Sequence, residues 1–263
     1  MKGALSRLAL ALLARDEQRP SLKFEHVICV SAATRDVLVN AGVPISHARI
    51  IHTGLDMKLY LNGQQPDARG NPGELRLLYA GRLSADKGVE TAIQAMKHLG
   101  VERGLDHVTL SLAGSGTTEY TNHLRHLVTR LGLERCVTFL GWVPHEEMPR
   151  LMAGFDVLLL PSKWPEPFAR VVLEGLVSGL VVVATPSGGT GEIIRDRENG
   201  LLFTPDDGQD LAKKIASLAV DKNLLEKLRN AGRKTAREQF TLTKMLDSYE
   251  EFLEEIAGPH DKH

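Results

Sequence analysis

The stretch DVLLLPSKWPEPFARVVLEGLVSGLVVVATP, residues 156–186, decides which fold class the sequence predicts. Its two ends, 156–162 and 180–186, are runs of consecutive apolar residues, which is typical of strands that carry helices on both faces. Between them, ARVVLEGLVSG (169–179) has the length and the apolar content of a helix. A strand, a helix and a second strand in this order predict a parallel sheet.

The same alternation extends in both directions from this stretch. The further predicted strands are LRLLYAG (75–81), HVTLSLAG (107–114), CVTFLG (136–141) and GLLFTP (200–205). The further predicted helices are 87–99, 117–132, 145–155, a short one near 191–196, and two closing stretches at 208–238 and 242–257. We therefore predict an α/β fold with a doubly wound, parallel, Rossmann-like sheet. In such sheets the ligand lies beyond the carboxyl ends of the strands.

The first 56 residues predict a smaller unit of their own. A strand (26–31), a helix (33–42) and a strand with a turn (48–56) make one α/β unit, and the Gly- and Pro-rich stretch 61–74 then predicts a linker. Upstream, Leu5, Leu8, Leu12 and Leu13 form the stripe of an amphipathic helix. We expect three parts: residues 1–56, the main domain 57–240, and a closing helix and tail, 241–263.

Composition excludes several classes of protein. The net charge is −1, so no basic field favours nucleic acid as a partner. No run approaches the roughly 18 apolar residues of a membrane span, which predicts a soluble protein. Cys29 and Cys136 lie in separate apolar runs, which favours buried free thiols in a reducing compartment over a disulfide framework.

The loop AGRLSADKG, residues 80–88, follows the first strand of the main domain. Gly81 ends the strand, and Arg82 and Lys87 bring two cations close to the next helix. Cations beside helix N–H groups can bind an anion such as phosphate. A pair of solvated surface charges explains these two residues equally well.

The loop AGSGTTE, residues 113–119, follows the next strand and contains Gly114 and Gly116. Glu119 occupies the place of the third glycine of the dinucleotide-binding pattern, so a classical NAD site is poorly supported. These glycines indicate either contact with a ligand or a plain turn. A third glycine-rich loop, residues 185–196, favours a structural role.

Glu166 and Glu174 are eight residues apart in the opening stretch. Proline favours the first turn of a helix, so we expect the helix to begin close to Pro167, with Glu166 at its mouth. Eight residues at 3.6 per turn would place both acids on one side of the helix. Glu174 lies in the apolar sequence VVLEGLV, where a carboxylate needs a cation or a ligand. A structural ion pair and a ligand site remain open from these residues alone.

Taken in order, these segments resemble the carboxyl-terminal domain of the family 4 glycosyltransferases, which are retaining enzymes of the GT-B fold (glycosyl transferases group 1). The resemblance rests on AGRLSADKGVETAI, LAGSGTTE, VTFLGWVPHEEMPRLMAGFDVLLLPS, EPFARVVLEGLVSG and VVVATPSGGTGEIIRDRENGLLF. Any one of these segments is moderate support, whereas the ordered set is highly specific.

The resemblance implies a role for each matching position. Gly81, Arg82 and Lys87 would hold the donor diphosphate, so that neither a metal nor another cofactor is needed. Glu166 would contact the transferred sugar, and Glu174 would bond the ribose hydroxyls. The backbone of Phe168, Ala169 and Arg170 would face the phosphate and sugar, with Gly114 and Gly116 nearby and Trp142 and Val143 beside the base. Glu166, Arg82 and Lys87 would be the catalytic set.

The resemblance also has departures. Ala169 and Val181 stand where the family usually has glycine and proline, and Thr53 replaces an asparagine of the interdomain turn. Residues 1–56 resemble only the end of the acceptor-binding domain that precedes this one in the family. We therefore expect a glycosyltransferase of which this chain is mainly the donor-binding domain, as a fragment, as the product of a truncated gene or as half of a split enzyme with a partner chain. Whether the chain is active by itself stays open.

Three functions remain open at this point. The first is hexosyl transfer from a nucleotide-diphosphate sugar to a glycan or lipid-linked acceptor, as in polysaccharide biosynthesis. The second is a nucleotide-sugar-binding module without catalysis of its own, and the third is a sugar phosphorylase or epimerase of the same fold. The family resemblance implies a cytoplasmic protein, with peripheral contact at the inner face of the membrane.

Overall fold

A computed structural model describes residues 24–43, 45–62, 73–105 and 107–257. The six strands of its main sheet are β3 (Leu75–Ala80), β4 (Val108–Ala113), β5 (Val137–Gly141), β6 (Val157–Leu160), β7 (Val181–Ala184) and β8 (Leu201–Leu202). They lie in the order β5-β4-β3-β6-β7-β8, and every pairing in this sheet is parallel. The predicted parallel α/β fold is confirmed.

Helices cover both faces of this sheet. They are α3 (Val89–Arg103), α4 (Thr118–Leu131), α5 (Met148–Ala153), α6 (Arg170–Ser178), α7 (Thr190–Ile193), α8 (Gly208–Val220), α9 (Lys222–Gln239) and α10 (Leu242–Ala257). Along β3, Leu77 belongs to one buried cluster, with α3, α4 and α8, and Leu78 to the other, with α6. Two apolar cores, one on each side of the sheet, explain why β6 and β7 are buried at every residue.

The chain before the main domain forms a two-stranded parallel sheet, β1 (Phe24–Cys29) and β2 (Ile45–Ile50), joined by α1 (Ala32–Asn40). The helix α2 (Lys58–Asn62) follows. The apolar stripe at residues 5–13, most of the linker 61–74 and the tail 258–263 lie outside the described residues. The division at residues 56 and 240 stays a prediction.

A carboxylate from the main domain caps α1. Glu192, in α7, accepts hydrogen bonds from the backbone N–H groups of Ala32 and Ala33, both at 3.0 Å. The next donor, the Thr34 N–H, bonds to the Ser31 hydroxyl at 3.0 Å. The first three free N–H groups of the helix are therefore satisfied, two of them by an acid about 160 residues away in sequence.

The chain passes between the two sheets twice, at neighbouring places. The Leu55 N–H donates to the Phe240 carbonyl at 3.0 Å, and the Leu242 N–H donates to the Leu55 carbonyl at 3.1 Å. Gly54 lies so close to Thr241 that an added β-carbon would be 2.4 Å from its carbonyl oxygen. The outward and return passages are therefore held to each other by backbone bonds.

The sequence predictions are wrong at two helix boundaries. The stretch 208–238 is two helices, because Asp221 has an extended backbone and its side chain accepts the Leu224 N–H to begin α9. Helix α6 begins at Arg170 and not at Pro167. The segment before α6 is held in a non-helical path, since the Gly189 N–H donates to the Glu166 carbonyl at 2.7 Å. Glu166 therefore lies outside the helix, and the argument from helical spacing to Glu174 does not hold.

Candidate functional site

A cleft of about 580 Å³ opens at the carboxyl ends of β3, β4 and β5. Seven of its lining residues were expected from the sequence: Gly81, Arg82, Gly114, Trp142, Val143, Arg170 and Glu174. The others are Ala80, Ala113, Ser115, His145, Met148 and Val171. The cleft lies where the sequence predicted a ligand, beyond the carboxyl edge of a parallel sheet.

Arg82 is held at the mouth of the cleft by its own loop. Its guanidinium donates to the Ser84 hydroxyl at 3.2 Å and to the Asp86 carboxylate at 3.0 Å. Partial burial acts to raise the pKa of Asp86, but the Ser84 hydroxyl and the Arg82 charge outweigh it and hold this pKa below its ordinary value. The Tyr79 hydroxyl donates to the Arg82 carbonyl at 2.6 Å, and this bond fixes the backbone of the loop. Arg82 thus presents a positive charge from an ordered loop.

Lys87 and Glu166 form an ion pair outside the residues that line the cleft. The Lys87 Nζ lies 2.6 Å from Glu166 Oε1, and the Ser162 hydroxyl donates to the same oxygen at 2.7 Å. Both charged side chains are mostly buried, at 21% and 13% exposure. This joins two of the predicted site residues from loops 79 residues apart, after β3 and β6.

Glu174 is the one acid on the cleft wall, and it comes from the second turn of α6. Its side chain is 10% exposed, and its described ionic contact is with Arg170, one turn earlier, at 3.8 Å. Burial, followed by the negative charge of Glu174, raises the pKa of the neighbouring Tyr60 phenol above its ordinary range. A nearly buried carboxylate with one long ionic contact can still accept hydrogen bonds from a ligand.

Glycines let the loops around the cleft approach closely. Gly114 has φ +145°, and a β-carbon there would lie 1.8 Å from the Gly81 carbonyl oxygen. Gly188 has φ +59°, and its β-carbon would lie 2.1 Å from the Glu166 carbonyl oxygen. The loops after β3 and β4 therefore interlock, as do those after β6 and β7.

Three more predicted residues lie away from the cleft lining. Gly116 pairs with Leu83 in a bridge between loops. The Phe168 ring stacks on His52, with ring centroids 5.3 Å apart, and so packs towards the segment that precedes the main domain. Ala169 is buried just before α6, with φ −80°, so its methyl group causes no backbone strain. The roles of these residues in binding stay predictions.

Sequence reasoning missed several lining residues, of which His145 and Ser115 are polar. Ser115 stands between the two glycines that were singled out, so their spacing could have indicated it. His145 begins the short 3-10 turn before α5, three residues after Trp142, and no motif marks it. Trp142 is 70% exposed, which leaves a large aromatic surface at the rim of the cleft.

Among the described residues no group of three or more His, Cys, Asp or Glu side chains is arranged to hold a metal ion. The same part of the chain contains no helix with the length and apolar character needed to cross a membrane. Cys29, which is buried, and Cys136, which is half-buried, form no disulfide and lie away from the cleft lining.

Comparison with solved structures defines the class as GT-B glycosyltransferases. The chain superposes on Anabaena Alr3699/HepE, crystallised with UDP and glucose, with a TM-score of 0.78 and 28% identity over 94% of this chain and 66% of that one. It superposes on sucrose-phosphate synthase from Thermosynechococcus elongatus with a TM-score of 0.78 and 27% identity, over 88% and 58%.

Sequence comparison gives the family. The model of glycosyl transferases group 1 matches residues 64–235, and the chain belongs to this family. It is 30% identical to spore coat protein SA of Bacillus subtilis (74% of this chain, 55% of that protein) and 30% identical to glycogen synthase of Mycobacterium tuberculosis (91% and 55%). The chain thus spans about half the length of these curated relatives.

Proposed function

We propose that the protein transfers a hexosyl group from a nucleotide-diphosphate sugar to a glycan or lipid-linked acceptor, with the described domain binding the donor. The observation that carries this proposal is the cleft at the carboxyl edge of the sheet, where Arg82, Arg170 and Glu174 converge. The related Anabaena protein, with the same fold, was crystallised with UDP and glucose. Two guanidinium groups suit a diphosphate, and a carboxylate suits sugar hydroxyls.

In the proposed reaction the bond between the anomeric carbon and the diphosphate oxygen breaks. The acceptor oxygen forms its bond to the same carbon, on the same face, so that configuration is retained. The acceptor proton passes to an oxygen of the leaving diphosphate. The electron pair of the broken bond also stays on the diphosphate, so positive charge beside it is the main requirement.

Arg82 and Lys87 supply that positive charge without a metal ion. Arg82 lies at the cleft mouth, and its ion pair with Asp86 can be shared with a phosphate because the guanidinium has several donors. Lys87 is paired with Glu166 outside the cleft lining, and in this proposal its ammonium meets the diphosphate when the donor binds. In this proposal Glu166 contacts the transferred sugar and Glu174 the ribose hydroxyls.

A second function is a nucleotide-sugar-binding module without catalysis of its own, for which the cleft is sufficient because donor binding needs only the residues in and beside its lining. We place the reaction in the cytoplasm, at the inner face of the membrane when the acceptor is lipid-linked.

Calorimetry with UDP, GDP and ADP sugars tests the donor site. We expect one of them to bind, and we expect Arg82→Ala and Lys87→Ala to weaken binding by about tenfold or more, as loss of a charged hydrogen bond does. Arg195→Ala is the control, since Arg195 is exposed and pairs with Glu198 away from the cleft. Equal binding by all variants would contradict the site.

Release of free sugar or transfer to an added acceptor separates the two functions. Turnover by the chain alone supports the transferase and excludes the module without catalysis. Donor binding with no turnover at any acceptor supports the module.

A further inference from the structure

We propose that Tyr60 is a positioning residue for Glu174: its hydroxyl donates to one carboxylate oxygen and leaves the other to bond the donor ribose. This inference rests on the proposed function, because it assigns a purpose to the carboxylate that we expect to bind ribose. Tyr60 belongs to α2, in the segment that enters the main domain, and does not line the cleft.

The position of Tyr60 is behind the cleft wall. Its residue is 1% exposed, and its ring meets the His145 ring edge-on with the centroids 6.5 Å apart. Its hydroxyl is close enough to Glu174 that burial, followed by the Glu174 charge, raises its pKa. Tyr60 is therefore a neighbour of two lining residues of the cleft, His145 and Glu174, and Glu174 is the only acid in that lining.

The Tyr60 hydroxyl is unsatisfied in the described part of the chain. Its oxygen is buried and has no described partner at full hydrogen-bond geometry, but Glu174 is so near that a hydrogen bond to it is among the causes that raise the Tyr60 pKa, after burial and the Glu174 charge. A buried hydroxyl without a partner is costly, and the nearest candidate acceptor is a carboxylate, with which it would form a short, strong bond.

A hydrogen bond from Tyr60 would also fix the orientation of the Glu174 carboxylate. Arg170 contacts its Oε1 at 3.8 Å, a distance too long for a hydrogen bond, and the Arg170 side chain is 55% exposed. Arg170 therefore does not fix the orientation of the carboxylate by a hydrogen bond. A phenol bonded to one oxygen would fix the rotamer, so that the other oxygen meets the ribose hydroxyls without a further loss of side-chain freedom.

Binding of ribonucleotides and dideoxyribonucleotides tests this role. UDP, ADP and GDP are titrated into the full chain by calorimetry, and the tightest of them is then compared with its 2′,3′-dideoxy form. We expect Tyr60→Phe to weaken the ribonucleotide by about tenfold, the effect of one hydrogen bond to a charged group. We expect it to leave the dideoxy form within about twofold, because that form has no hydroxyl for Glu174 to accept.

Two more variants complete the test. Glu174→Gln should reduce the preference for ribose, and adding Tyr60→Phe to it should change nothing further, because the two residues act as one unit. Tyr120→Phe is the matched control, since its phenol donates to the Glu90 carboxylate at 3.2 Å outside the cleft lining. It should leave both affinities unchanged.

Each remaining outcome decides against the proposal. Unchanged ribonucleotide binding by Tyr60→Phe excludes the positioning role of Tyr60 but leaves the donor site standing. An equal loss of affinity for the ribonucleotide and its dideoxy form has the same meaning, because it would reflect a change in packing behind the cleft wall. If the wild-type chain binds none of the three diphosphates, the donor site itself fails together with this inference.

Discussion

Gly114 and Gly132 both have positive φ, but they differ in what an added side chain would meet. A β-carbon at Gly114 would lie 1.8 Å from the Gly81 carbonyl oxygen, whereas Gly132, at the end of α4, has nothing within 4 Å. We expect Gly132→Ala to cost about 1 kcal/mol of unfolding free energy, the strain of positive φ alone. Gly114→Ala should cost more, about 3 kcal/mol or above, because the two cleft loops must also separate.

Denaturant unfolding of both variants, with nucleotide binding measured beside it, checks this prediction. Gly114→Ala should also weaken binding, and Gly132→Ala should not. Equal losses of unfolding free energy in Gly114→Ala and Gly132→Ala would mean that the two cleft loops can separate at no additional cost.

The Lys87–Glu166 pair predicts opposite effects on stability and on activity. Lys87→Met leaves the Glu166 carboxylate, at 13% exposure, with only the Ser162 hydroxyl among its described side-chain partners. We expect a loss of about 1–3 kcal/mol in unfolding free energy, the cost of an unpaired buried group. Adding Glu166→Gln removes the negative charge and should restore most of that stability.

Activity should not recover in this double variant. Donor hydrolysis should fall by about a hundredfold in Lys87→Met, as for the loss of one charge-stabilising group, and stay low when Glu166→Gln is added. Lys234→Ala, on the exposed face of α9, is the control. Recovered turnover in the double variant would show that Lys87 acts only by neutralising Glu166.

At the scale of elements, the strands were predictable and the loop geometry was not. Long apolar runs such as 181–184 mark buried strands, and Val181 donates its N–H to the Asp156 carbonyl at 2.9 Å, a bond that the family's usual proline would lack. The start of α6 was missed because contacts from distant loops override the preference of Pro167 for a first turn. Tyr60 and His145 were missed because nothing local marks a residue that becomes important only through tertiary contact.

The Glu192 cap on α1 predicts a dependence of stability on pH. Burial acts to raise the pKa of Glu192. Hydrogen bonds from His52 and from the Ala33 and Ala32 N–H groups lower this pKa by more than burial raises it, so the pKa in the folded protein lies below the ordinary 4.5. A carboxyl whose pKa is lowered by folding stabilises the protein above its unfolded pKa. That contribution is lost as the pH falls from about 4.5 through the lower, folded value.

Glu192→Gln measures this contribution. At pH 7 we expect the variant to unfold at lower free energy by about 1–2 kcal/mol, as for the loss of a helix cap. The difference from wild type should shrink as the pH drops below about 4.5, because the wild-type group is then protonated too. Glu198→Gln, at an exposed ion pair with Arg195, should give a small difference at every pH. A constant gap between Glu192→Gln and wild type would refute the linkage.

At the scale of the whole molecule, a bound donor should stabilise the described domain. Ligand at a hundred times its dissociation constant adds about 2.7 kcal/mol to the unfolding free energy. For a chain of this size that corresponds to a rise in Tm of roughly 5–10 °C. Differential scanning fluorimetry with the tightest nucleotide diphosphate measures it.

The same concentration should give a smaller rise for Arg82→Ala, whose affinity is lower, and inorganic phosphate is the ligand control. An identical rise for wild type and Arg82→Ala would mean that the stabilising site lies elsewhere on the molecule.

The paired backbone passages at Leu55 and Leu242 restrict how the two sheets can move. Both crossings of the chain lie side by side, joined by two hydrogen bonds, with Gly54 in close contact with Thr241. Separation of the sheets would break these bonds together with the Glu192 cap on α1. The two sheets are therefore joined by a fixed backbone contact, and α2, with Tyr60, begins only three residues after Leu55.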